Sequence, residues 1–198
     1  MSSEARGYRR HHPEAWTRTL AYRDRSELPY DGSVHPATAA LMLDTTVYID
    51  AQRAGLPPDL ATRIATAPLI HSAVALGELA ANLGLLDPAH PGTPSVRAVI
   101  EETLARVEPE RIVAPSPSAW LEASLVSGVL ARIQGLAGAD RRKLLNDALI
   151  FISAAEAGAV LVSRSRTDFD LLLRFQPDTS VWFYDRFPNI RSRTRSQR

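Results

Sequence analysis

From residue 39 onward, short runs of consecutive apolar residues alternate with stretches of helical periodicity. Ala40, Leu41, Met42 and Leu43 form an unbroken apolar run that stops at Asp44, the signature of a strand buried on both faces. Thr45 or Thr46 then caps a helix reaching about Ala54, which Gly55 and the pair Pro57-Pro58 bring to a stop. Asp59 opens a short helix that Pro68 ends, and Leu69 to His71 read as a second strand. Ser72 caps a helix over 73–83, three prolines and a glycine make 87–94 a loop, and 96–107 is an amphipathic helix. A third strand over 111–113 precedes a helix capped by Ser118 and running to Gln134. A turn over 135–140 leads into a helix over 141–157, ended by Gly158. A strand over 159–162, a helix over 167–175 and a strand over 180–184 complete the series. Strands and helices alternating at this spacing predict one α/β domain over 39–185, with a mostly parallel sheet covered by helices on both faces.

Residues 1–38 lack such periodicity and carry turn signals at His11-His12-Pro13, Pro29 and Asp31-Gly32, so they read as an N-terminal arm. Within it, 15–22 fits a short amphipathic turn of helix packed on the body, with disorder as the simpler alternative. The whole chain, 198 residues with a net charge of +1, looks neutral toward nucleic acid. Divided, it is not uniform. Residues 186–198 hold five arginines and no acid, a basic tail expected to be flexible. Residues 36–185 hold 12 basic and 17 acidic side chains, a balance of −5. The absence of cysteine excludes a disulfide scaffold, a thiol nucleophile and thiolate-bound metal, and no apolar run reaches membrane-spanning length. The opening residues lack a secretory apolar core, so the expected compartment is the cytoplasm.

Four acids stand where a strand or an apolar helix makes them conspicuous. In an open parallel sheet, ligands bind beyond the carboxyl ends of the strands, where Asp44 stands and where Asp168 can reach from just past the fourth strand. Glu78 and Asp147 interrupt otherwise apolar helical sequence, in Ala-Val-Ala-Leu-Gly-Glu78-Leu and Leu-Leu-Asn-Asp147-Ala-Leu-Ile. A carboxylate on a core-facing helix is costly without a cation or a donor, so the four suggest a shared cation. Each also has a structural alternative: Asp44 and Asp168 as helix caps, Glu78 and Asp147 as solvent-facing residues. Asp170 competes with Asp168 for the fourth place, and the register of Asp168-Phe169 favours Asp168. His71 and His90 are isolated and take core or loop roles. Gly77, Gly84 and Gly92 match no phosphate-binding glycine pattern, which argues against a nucleotide enzyme.

The order Leu43-Asp44-Thr45-Thr46, then Leu-Gly-Glu78-Leu, Asp147-Ala-Leu-Ile and Val162-Ser163-Arg164-Ser165-Arg166-Thr167-Asp168-Phe169 resembles a PIN domain, most of all the VapC-type toxin ribonucleases. The resemblance spans about 41–184 and implies a three-layer α/β/α fold around a mostly parallel sheet, with residues 1–38 as an N-terminal extension. It implies that Asp44, Glu78, Asp147 and Asp168 are catalytic and hold Mg²⁺ or Mn²⁺. The sequence departs from the family at Thr46, where Asn is usual, and at Ser165, where Asn or Asp is usual. Their hydroxyls retain hydrogen-bonding capacity with a shorter reach.

Hard divalent ions take oxygen ligands, and the four acids supply them without Cys or His. Such an ion would activate water against an RNA phosphodiester. Thr46, Ser165, Arg164 and Arg166 are the candidate substrate-binding residues. The resemblance also implies a cognate antitoxin and a homodimer, with no membrane association. Under it the arm has three possible roles: covering the site, strapping the dimer or replacing part of an antitoxin contact. The competing reading of the same residues is a catalytically silent scaffold that binds RNA or a protein partner.

Overall fold

Every apolar run marked in the sequence becomes a strand: β1 (Leu41–Leu43), β2 (Leu69–Ser72), β3 (Ile112–Val113), β4 (Val160–Ser163) and β5 (Val181–Phe183). The structure, a computed structural model, describes residues 10–187. The start of the arm and most of the basic tail, 188–198, lie outside the described residues. All strand pairs are parallel, in the order β3-β2-β1-β4-β5. The central strand β1 pairs Leu41 with Leu69 on one side and with Val160 on the other. With neighbours on both edges and helices on both faces, Leu41 and Met42 are wholly buried, which is why the run carries no polar alternation.

The chain builds β1, β2 and β3 in one direction from the centre, then returns for β4 and β5 in the other. That reversal puts a topological switch point between the carboxyl ends of β1 and β4. Helices α1 (Thr45–Gln52), α2 (Pro58–Thr66), α3 (Ala73–Gly84), α4 (Thr93–Ala105), α5 (Pro117–Gln134), α6 (Gly138–Glu156) and α7 (Arg166–Leu172) make the connections. From Leu144 to Ala154, α6 is buried at nearly every position, and Phe151 lies 6.3 Å from the Phe169 ring of α7. No described helix is long and apolar enough to cross a membrane.

Several helix starts differ from expectation. Ser116, not Ser118, caps α5: its hydroxyl accepts from the Ala119 amide at 2.9 Å, with Pro117 in the first turn. α4 begins at Thr93 with Pro94 in its first turn, and α6 at Gly138. α7 ends at Leu172. His71 is a core residue whose Nδ1 is hydrogen-bonded to the Tyr48 hydroxyl at 2.7 Å, and His90 sits in the loop before α4.

The arm is the larger departure. Residues 15–22 form no amphipathic helix; one 3₁₀ turn, Pro13–Ala15, gives way to extended chain. An extended segment contacts the body through scattered residues rather than one apolar stripe, so it leaves no periodic signal. Trp16 stacks on Phe175 with ring centroids 4.2 Å apart, Thr19 donates to the Ile133 carbonyl, and Gln134 donates to the Leu20 carbonyl. Farther on, the Phe183 amide donates to the Pro29 carbonyl at 2.8 Å and His35 is hydrogen-bonded to the Val181 carbonyl. The arm thus covers the β5 edge that an open sheet would expose. Among the described residues, no hydrogen bond or ion pair joins the arm to Asp44, Glu78, Asp147 or Asp168.

Gly32 allows this closeness, because a Cβ there would stand 2.2 Å from the Trp182 ring. Trp182 is buried against the core, so Gly32→Ala should displace the arm from β5. A cost of about 1–3 kcal/mol is expected from such overpacking, read as a lower urea midpoint.

At its start the arm is pinned by Glu122 of α5, whose Oε1 accepts from Arg10 at 2.6 Å, lies 2.5 Å from His11 Nε2, and accepts from Gln176. Burial pushes the Glu122 carboxyl up, but the hydrogen bonds from His11 and Arg10 outweigh it and hold the group below its usual range. A depressed folded-state pKa means stability that is full above the unfolded value, about 4.3, and lost as pH falls through the folded value. Hydrogen-exchange protection factors at residues 10–22, corrected for the intrinsic rate at each pH, should therefore fall as the buffer is taken below about pH 4. In Glu122→Gln that acid step should be absent.

Candidate active site

Asp44 directly follows β1 and Ser163 ends β4, so the two flank the switch point. Asp44 occupies the N-cap position of α1, yet its side chain makes no capping hydrogen bond. Instead its Oδ2 accepts from the Thr46 hydroxyl at 2.6 Å and from the Ser163 hydroxyl at 2.7 Å. The residue is 2% exposed. Burial pushes its carboxyl above the usual range against these hydrogen bonds, and the charge of Glu78 adds to the rise.

Glu78 projects from α3, one position before the buried Leu79 and three after the buried Ala75, which turns it to the inner edge of the helix. Its Oε2 accepts from the Thr45 hydroxyl at 2.5 Å and its Oε1 from Asn146 Nδ2 at 2.8 Å. Asp147, next to that asparagine on α6, follows Leu144 by three and precedes Phe151 by four, so it shares the core-facing side. Burial drives its carboxyl well above the usual range; Lys143 opposes the rise, and the charges of Asp44 and Asp168 add to it. Asp168, in the first turn of α7, accepts from the Ser165 hydroxyl at 2.7 Å and from Lys143 Nζ. Lys143 also donates to Asp147 at 3.2 Å.

The four acids named from sequence therefore form one linked neighbourhood: Asp44 feels Glu78, and Asp147 feels both Asp44 and Asp168. Among the described residues, no three of the Asp, Glu and His side chains stand close enough together to hold a metal as they are now braced. Asp170 lies elsewhere. It is fully buried and accepts from Arg23 of the arm, through Nε at 2.6 Å and the backbone amide at 2.8 Å.

The expected substrate contacts are partly committed to the protein. Thr46 and Ser165 give their hydroxyl protons to Asp44 and Asp168. Arg164 donates to buried Asp50 at 2.6 Å, where Tyr184 also donates at 3.0 Å, but 42% of its side chain remains exposed. The charge of Arg166 is felt at Tyr30 of the arm. Sequence reasoning missed Thr45, Ser163, Asn146, Asp50 and Lys143. Only Lys143 had a local signal, since it precedes Asp147 by four residues on one helix. A cavity of about 550 Å³ lies away from these acids, lined in part by Arg10, Glu122, Glu156 and Asp178.

No family model and no curated protein matches the chain. Among solved structures it is similar to the crystal structure of VapBC2 from Rickettsia felis bound to a DNA fragment from their promoter. The identity is 19% and the TM-score 0.50, over 74% of this chain and 99% of that one. It is similar also to the structure of FitAB bound to an IR36 DNA fragment, at 16% identity and TM-score 0.51, over 72% of this chain and 94% of that one. The chain therefore has the fold of these structures, a PIN-like α/β/α sandwich around an all-parallel sheet.

Proposed function

We propose that this chain is a metal-dependent endoribonuclease, the toxin of a toxin–antitoxin pair. One observation supports the reading: charge links Asp44 to Glu78 and Asp147 to both Asp44 and Asp168, and Asp44 and Glu78 are braced by neutral donors alone. Buried carboxylates that repel one another are stabilised by a cation, and an all-oxygen donor set suits Mg²⁺ or Mn²⁺. These four side chains would hold it. When bound, the ion lowers the pKa of water and neutralises charge on the scissile phosphate.

The chain's own residues do the positioning. Thr46 and Ser163 fix the Asp44 carboxylate, Thr45 and Asn146 fix Glu78, and the exposed part of Arg164 offers charge to the RNA backbone. In the reaction one P–O bond of the phosphodiester is exchanged for a bond to the oxygen of water. The solved structures sharing the fold are of toxin–antitoxin complexes, which supports a cognate antitoxin for this chain as well. A homodimer and a cytoplasmic setting belong to the same reading.

The test is cleavage of end-labelled single-stranded RNA by the purified chain. Fragments should appear with Mg²⁺ or Mn²⁺ and vanish with EDTA; fragments unaffected by EDTA would contradict the metal's role. The second reading, a catalytically silent scaffold, is favoured by the bracing of the acids on protein donors and by the hydroxyls at 46 and 165. RNA bound but left uncut in Mn²⁺ would select it.

A further inference from the structure

Asp50 and Asp170 are both buried carboxylates, yet they are served differently. Asp170 meets a single guanidinium, that of Arg23, and a backbone amide adds a second donor. Asp50, near the end of α1, meets two: Arg164 through Nε at 2.6 Å and Arg186 through Nε at 3.5 Å, with the Tyr184 hydroxyl donating at 3.0 Å. One guanidinium neutralises one carboxylate. Asp185, the acid beside Arg186 in sequence, is taken by Arg25, and among the described residues neither Arg164 nor Arg186 has a second acidic partner. One positive charge is therefore in surplus.

The fold holds both arginines in place. Arg164 directly follows β4, and Arg186, three residues past β5, lies over Gly55, where a Cβ would come 2.6 Å from its Nε. The next residue, Phe187, donates its amide to the Gly55 carbonyl at 2.8 Å. The two side chains remain 42% and 41% exposed above an anchor that is 1% exposed, so the pair is fixed at its base and open to a ligand. A guanidinium is a planar fork of donors that matches phosphate oxygens, and two on one buried anchor make a seat for an anion.

The seat adjoins the acids. The Arg164 amide donates to the Thr46 hydroxyl at 3.3 Å, that hydroxyl donates to Asp44, and Ser163, one residue before Arg164, donates to Asp44 as well. Arg186 is also the first arginine of the basic tail, whose residues 188–198 hold four more and no acid.

We propose that Arg164 and Arg186, anchored on Asp50, bind a backbone phosphate of RNA that flanks the scissile one. The inference rests on the nuclease reading and specifies how its substrate is gripped. Carboxylates repel a polyanion, and the surplus positive charge beside Asp44 supplies the attraction they lack. A contact to phosphate carries no base preference.

The test is fluorescence anisotropy of labelled single-stranded RNAs of several sequences in EDTA, with salt varied, so that binding is read without cleavage. Arg186→Gln should weaken binding to all of them alike and lower the slope of log affinity against log salt by about 0.7, the share of one phosphate on a single strand. Arg186→Lys, which keeps the charge, should keep the slope. Arg106→Gln, the same change of net charge on α4, which carries none of the acids, should leave affinity and slope unchanged. An equal drop in Arg106→Gln, or a loss in Arg186→Lys as large as in Arg186→Gln, would overturn the inference. So would RNA bound no better by the parent than by Arg164→Gln/Arg186→Gln, or an RNA curve unmoved by Arg186→Gln. Weaker binding of poly-glutamate by Arg186→Gln, with the RNA curve unmoved, would assign the seat to an acidic protein segment instead. The cleavage assay decides the nuclease reading separately: fragments formed with Mn²⁺ leave it standing whichever way the binding curves fall.

Discussion

Asp44→Asn should abolish metal-dependent RNA cleavage and at the same time make the metal-free protein harder to melt. The two effects share a cause. Asp44 is 2% exposed, has no cationic partner among the described residues and is pushed up by burial and by Glu78, so at neutral pH its ionised form is held at a cost. Asparagine removes the charge and keeps an acceptor, and the hydroxyls of Thr46 and Ser163 can each donate or accept, so the bracing survives.

A raised folded-state pKa means that ionised Asp44 lowers stability above its unfolded value, and that this penalty fades as pH falls through the folded value. The gain from Asp44→Asn should be on the order of 1 kcal/mol near pH 7, or about 2–4 °C in Tm, and vanish near pH 4. Added Mn²⁺ should raise the Tm of the parent and leave the variant unmoved. The rate should fall at least about 100-fold, the scale seen when one group stabilising transition-state charge is removed. A variant that cleaves as fast as the parent would remove Asp44 from the chemistry.

Arg23→Ala should cost about 3 kcal/mol, because it leaves Asp170 wholly buried without its cation. The Arg23 backbone amide still donates to Asp170 in that variant, which keeps the loss toward the lower end of what broken buried pairs show. One nitrogen of the guanidinium is itself buried with no acceptor, so the pair was costly to bury from the start. Replacing both partners by apolar residues of similar volume, Arg23→Met with Asp170→Leu, should therefore recover most of the stability. Urea denaturation of the two variants separates the readings: equal losses would mean that the contact matters for arm packing rather than for charge.

The central strands were legible because burial on both faces leaves unbroken apolar runs, Leu41 to Leu43 in β1 and Val160 to Val162 in β4, with every residue buried. Helix starts were less so. The first turn of α6, Gly138-Ala-Asp-Arg, is exposed and polar, and an exposed turn carries no apolar phase. The arm's role was invisible for a different reason: Arg23 and Asp170 are 147 residues apart, and nothing local in either pairs them.

Glu78 and Asp147 could be singled out as candidates because apolar neighbours make a carboxylate conspicuous, and Asp44 and Asp168 by their places beyond strands. Their bracing could not, since Ser163 meets Asp44 only when β4 lies beside β1, and Asn146 meets Glu78 only when α6 crosses α3. In the sequence only the register of Asp168-Phe169 favoured Asp168 over Asp170, and folding sends the two in different directions. One turns toward Lys143 and Ser165, the other into the body against Arg23.

The most direct measurement is anomalous diffraction from crystals of this chain soaked in Mn²⁺. The account predicts a peak against the carboxylates among Asp44, Glu78, Asp147 and Asp168. No peak at these acids, with Mn²⁺ seated elsewhere or nowhere, would contradict it.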